Sequence, residues 1–147
     1  MVILKAKGKT YKITMKRDVV SRLNGKVCRF LAEGCRRVYK CGDYVIKVDG
    51  VQGWNDKRLD AQNFREYKKW KKIKPRDRQF FAEVIAYKKA GQYSVLIQRY
   101  IRGGTPNSYV AISKVKSLTR RYKISDVHDG YNYVIRDNKP IIYDLGC

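Results

Sequence analysis

The sequence predicts an α+β domain. Short apolar–basic strand patterns fill the first third, each bounded by Gly, Asn or Asp turn signals. A single helical stretch follows and is succeeded by more strands, and a second helical stretch comes only after a Gly-Pro linker. Runs of strands around one inserted helix argue for an antiparallel sheet rather than repeated strand–helix–strand units.

Val2–Ala6 and residues 10–15 read as strands of a hairpin about Gly8-Lys9. Asp18 is expected to cap a short helix over residues 19–23 that ends at Asn24-Gly25. Residues 27–31 and 37–40 read as strands flanking Ala32-Glu33-Gly34-Cys35. Cys41-Gly42-Asp43 is a tight turn before a β-branched strand at 44–48 that carries one lysine, Lys47. A loop covers 50–55. Residues 59–74 have helical period, with Leu59, Asn63, Glu66/Tyr67, Trp70 and Ile73 on one face, and Pro75 stops them. Strands at 80–87 and 93–100 surround Lys88-Lys89-Ala90-Gly91, and 102–107 is a linker. Tyr109–Tyr122 is helical, with Tyr109, Ile112, Val115, Leu118/Thr119 and Tyr122 facing inward. A polar turn and a final strand close the chain.

Hydrophobic content of 44% with twelve tyrosines and two tryptophans argues against disorder at this length. No apolar run approaches the roughly 20 residues of a membrane helix, and the lysine-interleaved N-terminus does not read as a secretory signal. The expectation is a soluble, cytoplasmic protein. Cys28, Cys35, Cys41 and Cys147 lack C-x-x-C spacing, so they are expected as reduced thiols rather than zinc ligands or disulfides. The net charge of +21 fixes only the sign of any partner, whether nucleotide, nucleic acid, acidic protein or anionic membrane surface, and no membrane partner is expected. Its densest runs are the N-terminal hairpin and the cations from Arg65 through Lys68, Lys69, Lys71, Lys72 and Lys74, interrupted by Trp70.

The chemistry concentrates in residues 126–147, which read D-V-H-D-G-Y-N-Y-V-I-R-D-N-K-P-I-I-Y-D-L-G-C. Asp126, His128 and Asn132 share a polar turn, and Asp144 stands beside Gly146 after an apolar strand. Phosphoryl transfer needs an acid to orient an acceptor hydroxyl, and an amide and a second acid to hold Mg²⁺ against phosphate oxygens.

The ordered set resembles the protein-kinase-like superfamily, in a compact form associated with bacteria and phages. Leu31-Ala-Glu-Gly34-Cys-Arg36-Arg-Val38-Tyr39 is similar to its phosphate-covering loop. Tyr44-Val45-Ile46-Lys47 is similar to the strand whose lysine holds the α- and β-phosphates, and Glu66 to the helix glutamate that pairs with it. Val95-Leu96-Ile97-Gln98 resembles the strand that leads into the hinge, Asp126-Val127-His128 a D-x-H catalytic loop, and Asp144-Leu145-Gly146 the metal-binding D-F-G. The resemblance implies ATP and Mg²⁺ as cofactors. ATP would be bound by Gly34, Val45, Lys47, Glu66, Ile97 and Gln98. Asp126 would be the catalytic acid, with Lys47 and His128 in support, and Asp144 and Asn132 the metal ligands; Asp129 is a rival base. Three features depart from the pattern. Tyr131 stands where the amide belongs and Asn132 comes one residue late, the covering loop has one glycine, and the chain stops at Cys147.

The expected organisation is one kinase-like domain. Residues 1–26 form a basic extension, 27–101 an N-lobe with an antiparallel sheet and one inserted helix, and 102–147 a strongly truncated C-lobe. The expected activity is transfer of the γ-phosphate to a protein Ser/Thr hydroxyl, with basic surfaces docking an acidic or nucleic-acid-associated target, in the host cytoplasm if phage-encoded. The alternatives are a catalytically degraded binding module for an acidic protein or nucleic acid, and a small-molecule phosphotransferase.

Overall fold

The computed structural model describes residues 1–33, 36–50, 62–102, 109–124 and 132–143, with Glu33, Tyr109 and Val110 described in backbone only. Gly34, Asp126, His128, Asp129 and Asp144, the helix start expected at 59–61, the loop expected at 51–55 and the linker beyond Arg102 lie outside these residues. The chain divides into two units, Met1–Tyr67 with Val84–Tyr100, and Lys68–Glu83 with Ile101–Cys147.

The first unit holds two antiparallel sheets. β1 (Val2–Ala6), β2 (Lys9–Lys16), β3 (Val19–Leu23) and β4 (Lys26–Val27) form a four-stranded meander in that order. Its Asn24-Gly25 turn has positive φ at both residues (49° and 79°), which suits asparagine and glycine. β5 (Arg29–Glu33), β6 (Arg37–Cys41), β7 (Tyr44–Asp49), β8 (Val84–Ala90) and β9 (Tyr93–Arg99) form a five-stranded sheet in the order β5-β6-β7-β9-β8. One face of this sheet (Tyr39, Ile46, Val48, Ala86, Val95, Ile97) shares a core with Leu4, Tyr11, Ile13, Val20 and Leu23 of the meander. Ile13, Ile46, Val48, Val95 and Ile97 are wholly buried there, each worth about 1.5–3 kcal/mol. Two polar contacts reinforce the packing: Arg37 pairs with Asp18 at 3.1 Å, and the Tyr39 hydroxyl donates to the Asp18 carbonyl at 2.9 Å.

The opposite face receives α1 (Gln62–Lys72), whose Gln62, Asn63 and Glu66 are buried. Tyr87 on β8 stacks with Tyr67 and lies near Phe64 of this helix, with ring centroids 5.5 and 5.7 Å away.

In the second unit Pro75 ends α1 by opening a 3₁₀ turn, Pro75–Phe80. α2 (Tyr109–Tyr122) and the hairpin of β10 (Tyr133–Arg136) with β11 (Lys139–Ile142) complete it. Ile73, Phe81, Val115, Leu118, Ile124, Tyr133 and Ile142 form its core. Asp77, buried in the 3₁₀ turn, accepts from Arg121 at 2.8 Å and from the Tyr122 hydroxyl, which ties the turn to the end of α2. These bonds, the tyrosine's first and the Arg121 charge after it, outweigh burial and hold the Asp77 carboxyl below its ordinary value of 3.8.

Several expectations are corrected. Residues 19–23 are strand, because Arg17 turns the chain with φ 57° and the β-branched Val19-Val20 pair then zips onto Met15 and Lys16. Asp18 is engaged by Arg37 instead of capping a helix. The strand expected at 80–87 begins at Val84, since 75–80 is spent on the 3₁₀ turn, and the hairpin turns at Gly91-Gln92. The final strand is a two-stranded hairpin about Asp137-Asn138, both at positive φ. Cys28 and Cys41, expected as thiols, are disulfide-bonded. Arg29 pairs with Lys40 in the β5–β6 register, so the next residues outward, Cys28 and Cys41, face each other with Cα atoms 4.3 Å apart. Hairpin register creates this proximity, and no spacing motif announces it. Disulfides persist where thiols are kept oxidised, so this pair lends no support to a reducing compartment. Among the described residues, no helix is long and apolar enough to cross a membrane.

Two outcomes follow. Reducing the disulfide, or replacing both cysteines by alanine, should lower the urea-unfolding free energy by about 3 kcal/mol, the cost expected for a loop near this length; an unchanged midpoint would show that the bond constrains nothing. The Asp77 carboxyl is depressed on folding, so its stabilisation is fully present above pH 3.8 and is lost as pH falls through the lower folded value. An acid-unfolding series should therefore flatten in Asp77→Asn relative to wild type.

Candidate functional site

The face of the five-stranded sheet beneath α1 is set by strand alternation. Along β7, Ile46 and Val48 enter the shared core while Val45, Lys47 and Asp49 point the other way. Cross-strand partners share a face, which adds Val38 opposite Lys47, Leu96 opposite Lys47, Gln98 opposite Val45 and Ser94 opposite Asp49. Arg36, two residues before Val38, belongs to the same side. Val45 and Leu96 are buried and Val38 is half-buried, so Lys47 rises from an apolar floor.

Glu66 is the centre of this face. Its side chain has no exposed surface. Lys47 Nζ lies 2.7 Å from Oε1 and Arg36 Nη1 lies 2.6 Å from Oε2, so each carboxylate oxygen faces its own cation. Arg36 Nη1 also donates to Asn63 Oδ1 at 3.0 Å. Asn63 Nδ2 lies 2.9 Å from the Lys47 carbonyl, and 3.0 and 3.1 Å from the Ser94 carbonyl and hydroxyl. The Asn63 backbone N–H, one of the amides at the start of α1, donates to Asp49 Oδ2 at 2.8 Å, and Asp49 also accepts from the Ser94 hydroxyl. The carboxylate is thus placed where the partial positive charge of the helix end favours it. Burial first, and then the charge of Asp49, raise the Tyr87 phenol above its ordinary value of 10.0 against a lowering hydrogen bond from Ser94.

This network has a chemical consequence. Stripping one partner from a buried ion pair costs about 3–5 kcal/mol, because the other charge is left uncompensated. With Arg36 in place, Lys47 can turn its ammonium toward an anion while Glu66 keeps a cation at 2.6 Å. The arrangement is a buried lysine whose reorientation does not strand its carboxylate.

Of the residues expected to bind nucleotide, Val45, Lys47, Glu66 and Gln98 share this face, whereas Ile97 does not. Ile97 pairs with Ile46 and is wholly buried in the opposite core, so it cannot line a cavity beside Lys47; Leu96 holds that place. Gly34, Asp126, His128 and Asp144 lie outside the described residues. Asn132 is described in the second unit, with φ 62° and its carbonyl accepting from the Tyr143 N–H at 3.0 Å. Sequence reading assigned no site role to Arg36, Asp49, Asn63 or Ser94. Strand parity was the signal for two of them: Asp49 is two residues after Lys47, and Arg36 two before Val38. Nothing in the sequence marked Asn63 as more than a polar residue on the inward helix face.

No protein-family model and no curated protein matches the chain. Solved structures do. A bifunctional kinase-methyltransferase, WbdD, superposes with a TM-score of 0.58 at 15% identity over 90% of this chain and 35% of that one. WbdD co-crystallised with a kinase inhibitor gives 0.57 at the same identity, over 90% and 34%. The fold is therefore kinase-like, α+β with mostly antiparallel strands, and the chain spans about a third of the length of these structures.

A double-mutant cycle tests the shared compensation of Glu66. Lys47→Met and Arg36→Met should each be tolerated, whereas the pair should lose about 1–3 kcal/mol beyond the sum of the singles in chemical denaturation. Additive losses would mean that the two cations do not share one carboxylate.

Proposed function

We propose that the chain is a minimal kinase that uses ATP and Mg²⁺ and transfers the γ-phosphate to a Ser or Thr hydroxyl of a protein. The observation that carries this reading is the buried Lys47–Glu66 pair, relieved by Arg36 and set over Val38, Val45 and Leu96. In a kinase-like fold such a lysine meets the α- and β-phosphates, and the apolar floor takes the adenine. Gln98, beside Val45, would open the connector that reads the base edge.

The metal would be held by Asp144 and Asn132, whose hard oxygen donors suit Mg²⁺. Tyr143, immediately before Asp144, is bonded through its N–H to the carbonyl of Asn132, which supports pairing the two residues as ligands. When bound, the ion supplies charge neutralisation across the phosphates. Asp126 would orient the acceptor hydroxyl and take its proton as the new oxygen–phosphorus bond forms and the bond from the γ-phosphorus to ADP breaks. His128 would brace that loop. Catalysis would then come from positioning and electrostatics rather than a covalent enzyme intermediate. Cationic surfaces would select an acidic or nucleic-acid-associated target, consistent with the +21 charge.

A second reading, a kinase-derived binding module that no longer transfers phosphate, draws on Asn132. It stands one residue later than the family spacing, in left-handed backbone.

Incubation with γ-labelled ATP and Mg²⁺ decides between them. Transfer that falls at least about a hundredfold in both Lys47→Ala and Asp144→Ala supports the kinase. ATP·Mg²⁺ near one hundred times its Kd should add about 2.7 kcal/mol of stability, read as a rise in Tm. A rise in Tm without transfer would leave the binding module, and no rise would remove the nucleotide site altogether.

A further inference from the structure

The four-stranded meander has one face spent on the core and one turned to solvent. Leu4, Tyr11, Ile13, Val20 and Leu23 point inward and are buried. The alternate positions Lys5, Thr10, Lys12, Thr14 and Arg22 are exposed. Register sets them on a grid: Lys5 opposes Thr10, Lys12 opposes Ile3, and Thr14 opposes Arg22. Neighbours on such a grid are spaced by about 4.8 Å across strands and about 6.8 Å along them. Residues 1–27 hold eight Lys and Arg against one acid, Asp18, and that acid is taken by Arg37. The Arg22 guanidinium donates to the Gly25 carbonyl at 3.0 Å, which anchors its charge beside the Asn24-Gly25 turn.

We infer that this outer face docks the phosphate backbone of double-stranded DNA, without reading its sequence. The inference concerns a different surface from the Lys47 face and stands whether or not the chain transfers phosphate. Lys, Arg and Thr side chains are the usual partners of phosphate oxygens. A protein partner would call for aromatic anchors and a core depleted of charge; the outward positions instead set Lys5, Lys12 and Arg22 among threonines, with Ile3 and Val27 as the exposed apolar side chains beside Lys12 and Arg22 and no aromatic ring. Single strands are gripped by stacking bases on aromatic rings, and the tyrosine of β2, Tyr11, is turned into the core. Duplex RNA is recognised mostly by its A-form shape and by 2′-hydroxyl and phosphate contacts across the minor groove, and a cation-rich grid answers the phosphate part alone. What remains is a rigid positive surface facing a regular array of phosphates, where affinity comes from counterion release.

The test is fluorescence anisotropy of the whole chain on a labelled DNA duplex of arbitrary sequence, between about 50 and 200 mM salt. The variant Lys5→Glu/Lys12→Glu/Arg22→Glu should weaken binding at least about tenfold and lower the salt slope by about 3. A control with the same charge change elsewhere, Lys72→Glu/Lys116→Glu/Arg120→Glu, should weaken it less than about threefold. Equal loss in the two variants would overturn the assignment to this face. Binding to an RNA duplex or to polyglutamate as tight as to DNA would overturn the choice of partner. Should the triple variant fail to fold, acetylation of the wild type decides the question: DNA should shield Lys5 and Lys12, and unchanged labelling would refute the inference.

Discussion

A carboxylate without solvent contact dictates most of what surrounds it. A buried carboxylate needs cationic company, and a cation lies against each oxygen of Glu66: Lys47 on β7 and Arg36 just before β6. That requirement fixes the angular position of α1, because the glutamate must point at β7 and at the start of β6 together. It also fixes the entry of the helix. Asn63, one turn earlier, holds the carbonyls of Lys47 and Ser94 and places its own N–H on Asp49. Four buried side chains of opposite sign and one amide thus do what an apolar contact cannot: they define one register of helix on sheet. A slip of either element would leave charges unpaired at a cost of several kcal/mol.

The second constraint is that the five-stranded sheet is covered on both faces. In many antiparallel sheets one side is wet, and the strands alternate cleanly between apolar and polar. Here β7 and β9 are buried at nearly every position, because the meander closes the side that α1 leaves open. Polar residues on β7 and β9 therefore need internal partners, and Lys47, Asp49 and Ser94 have them. The meander is more than a basic appendage. It turns the strand carrying Lys47 into the interior of a sandwich, which restricts how that strand can move relative to Glu66.

Much of this was legible in the sequence where periodicity is long. Tyr109–Tyr122 has helical bounds identical to those its apolar spacing implies, and the inward set Asn63, Glu66 and Ile73 was readable from period alone. Short segments failed for local reasons. Val19-Val20 could serve helix or strand, and only the pairing with β2 settles which. Ile97 was misplaced by one residue of parity, a step that sends a side chain to the other face of a sheet. The Cys28–Cys41 bond depends on hairpin register, which is a property of paired strands and is invisible in spacing. The role of Arg36 was hidden because its partner sits thirty residues away on another element. The family resemblance named Lys47 and Glu66, but it had no reason to name a second cation.

The same sandwich separates the two surfaces on which the functional proposals rest. Lys47 leaves the five-stranded sheet on the α1 side, and Lys5, Lys12 and Arg22 leave the meander on the side away from the shared core. Packed sheets lie about 10 Å apart, so the outer grid and the lysine stand further from each other than the roughly 8 Å over which salt screens exposed charge. Lys5, Lys12 and Arg22 are consequently screened from Lys47, and Glu66 does little to weaken their field. The buried cations Arg36 and Lys47 are matched to Glu66, while Lys5, Lys12 and Arg22 leave the meander outward. The Lys47 face and the outer face of the meander are therefore electrostatically independent surfaces of the first unit, and a change at one leaves the other intact.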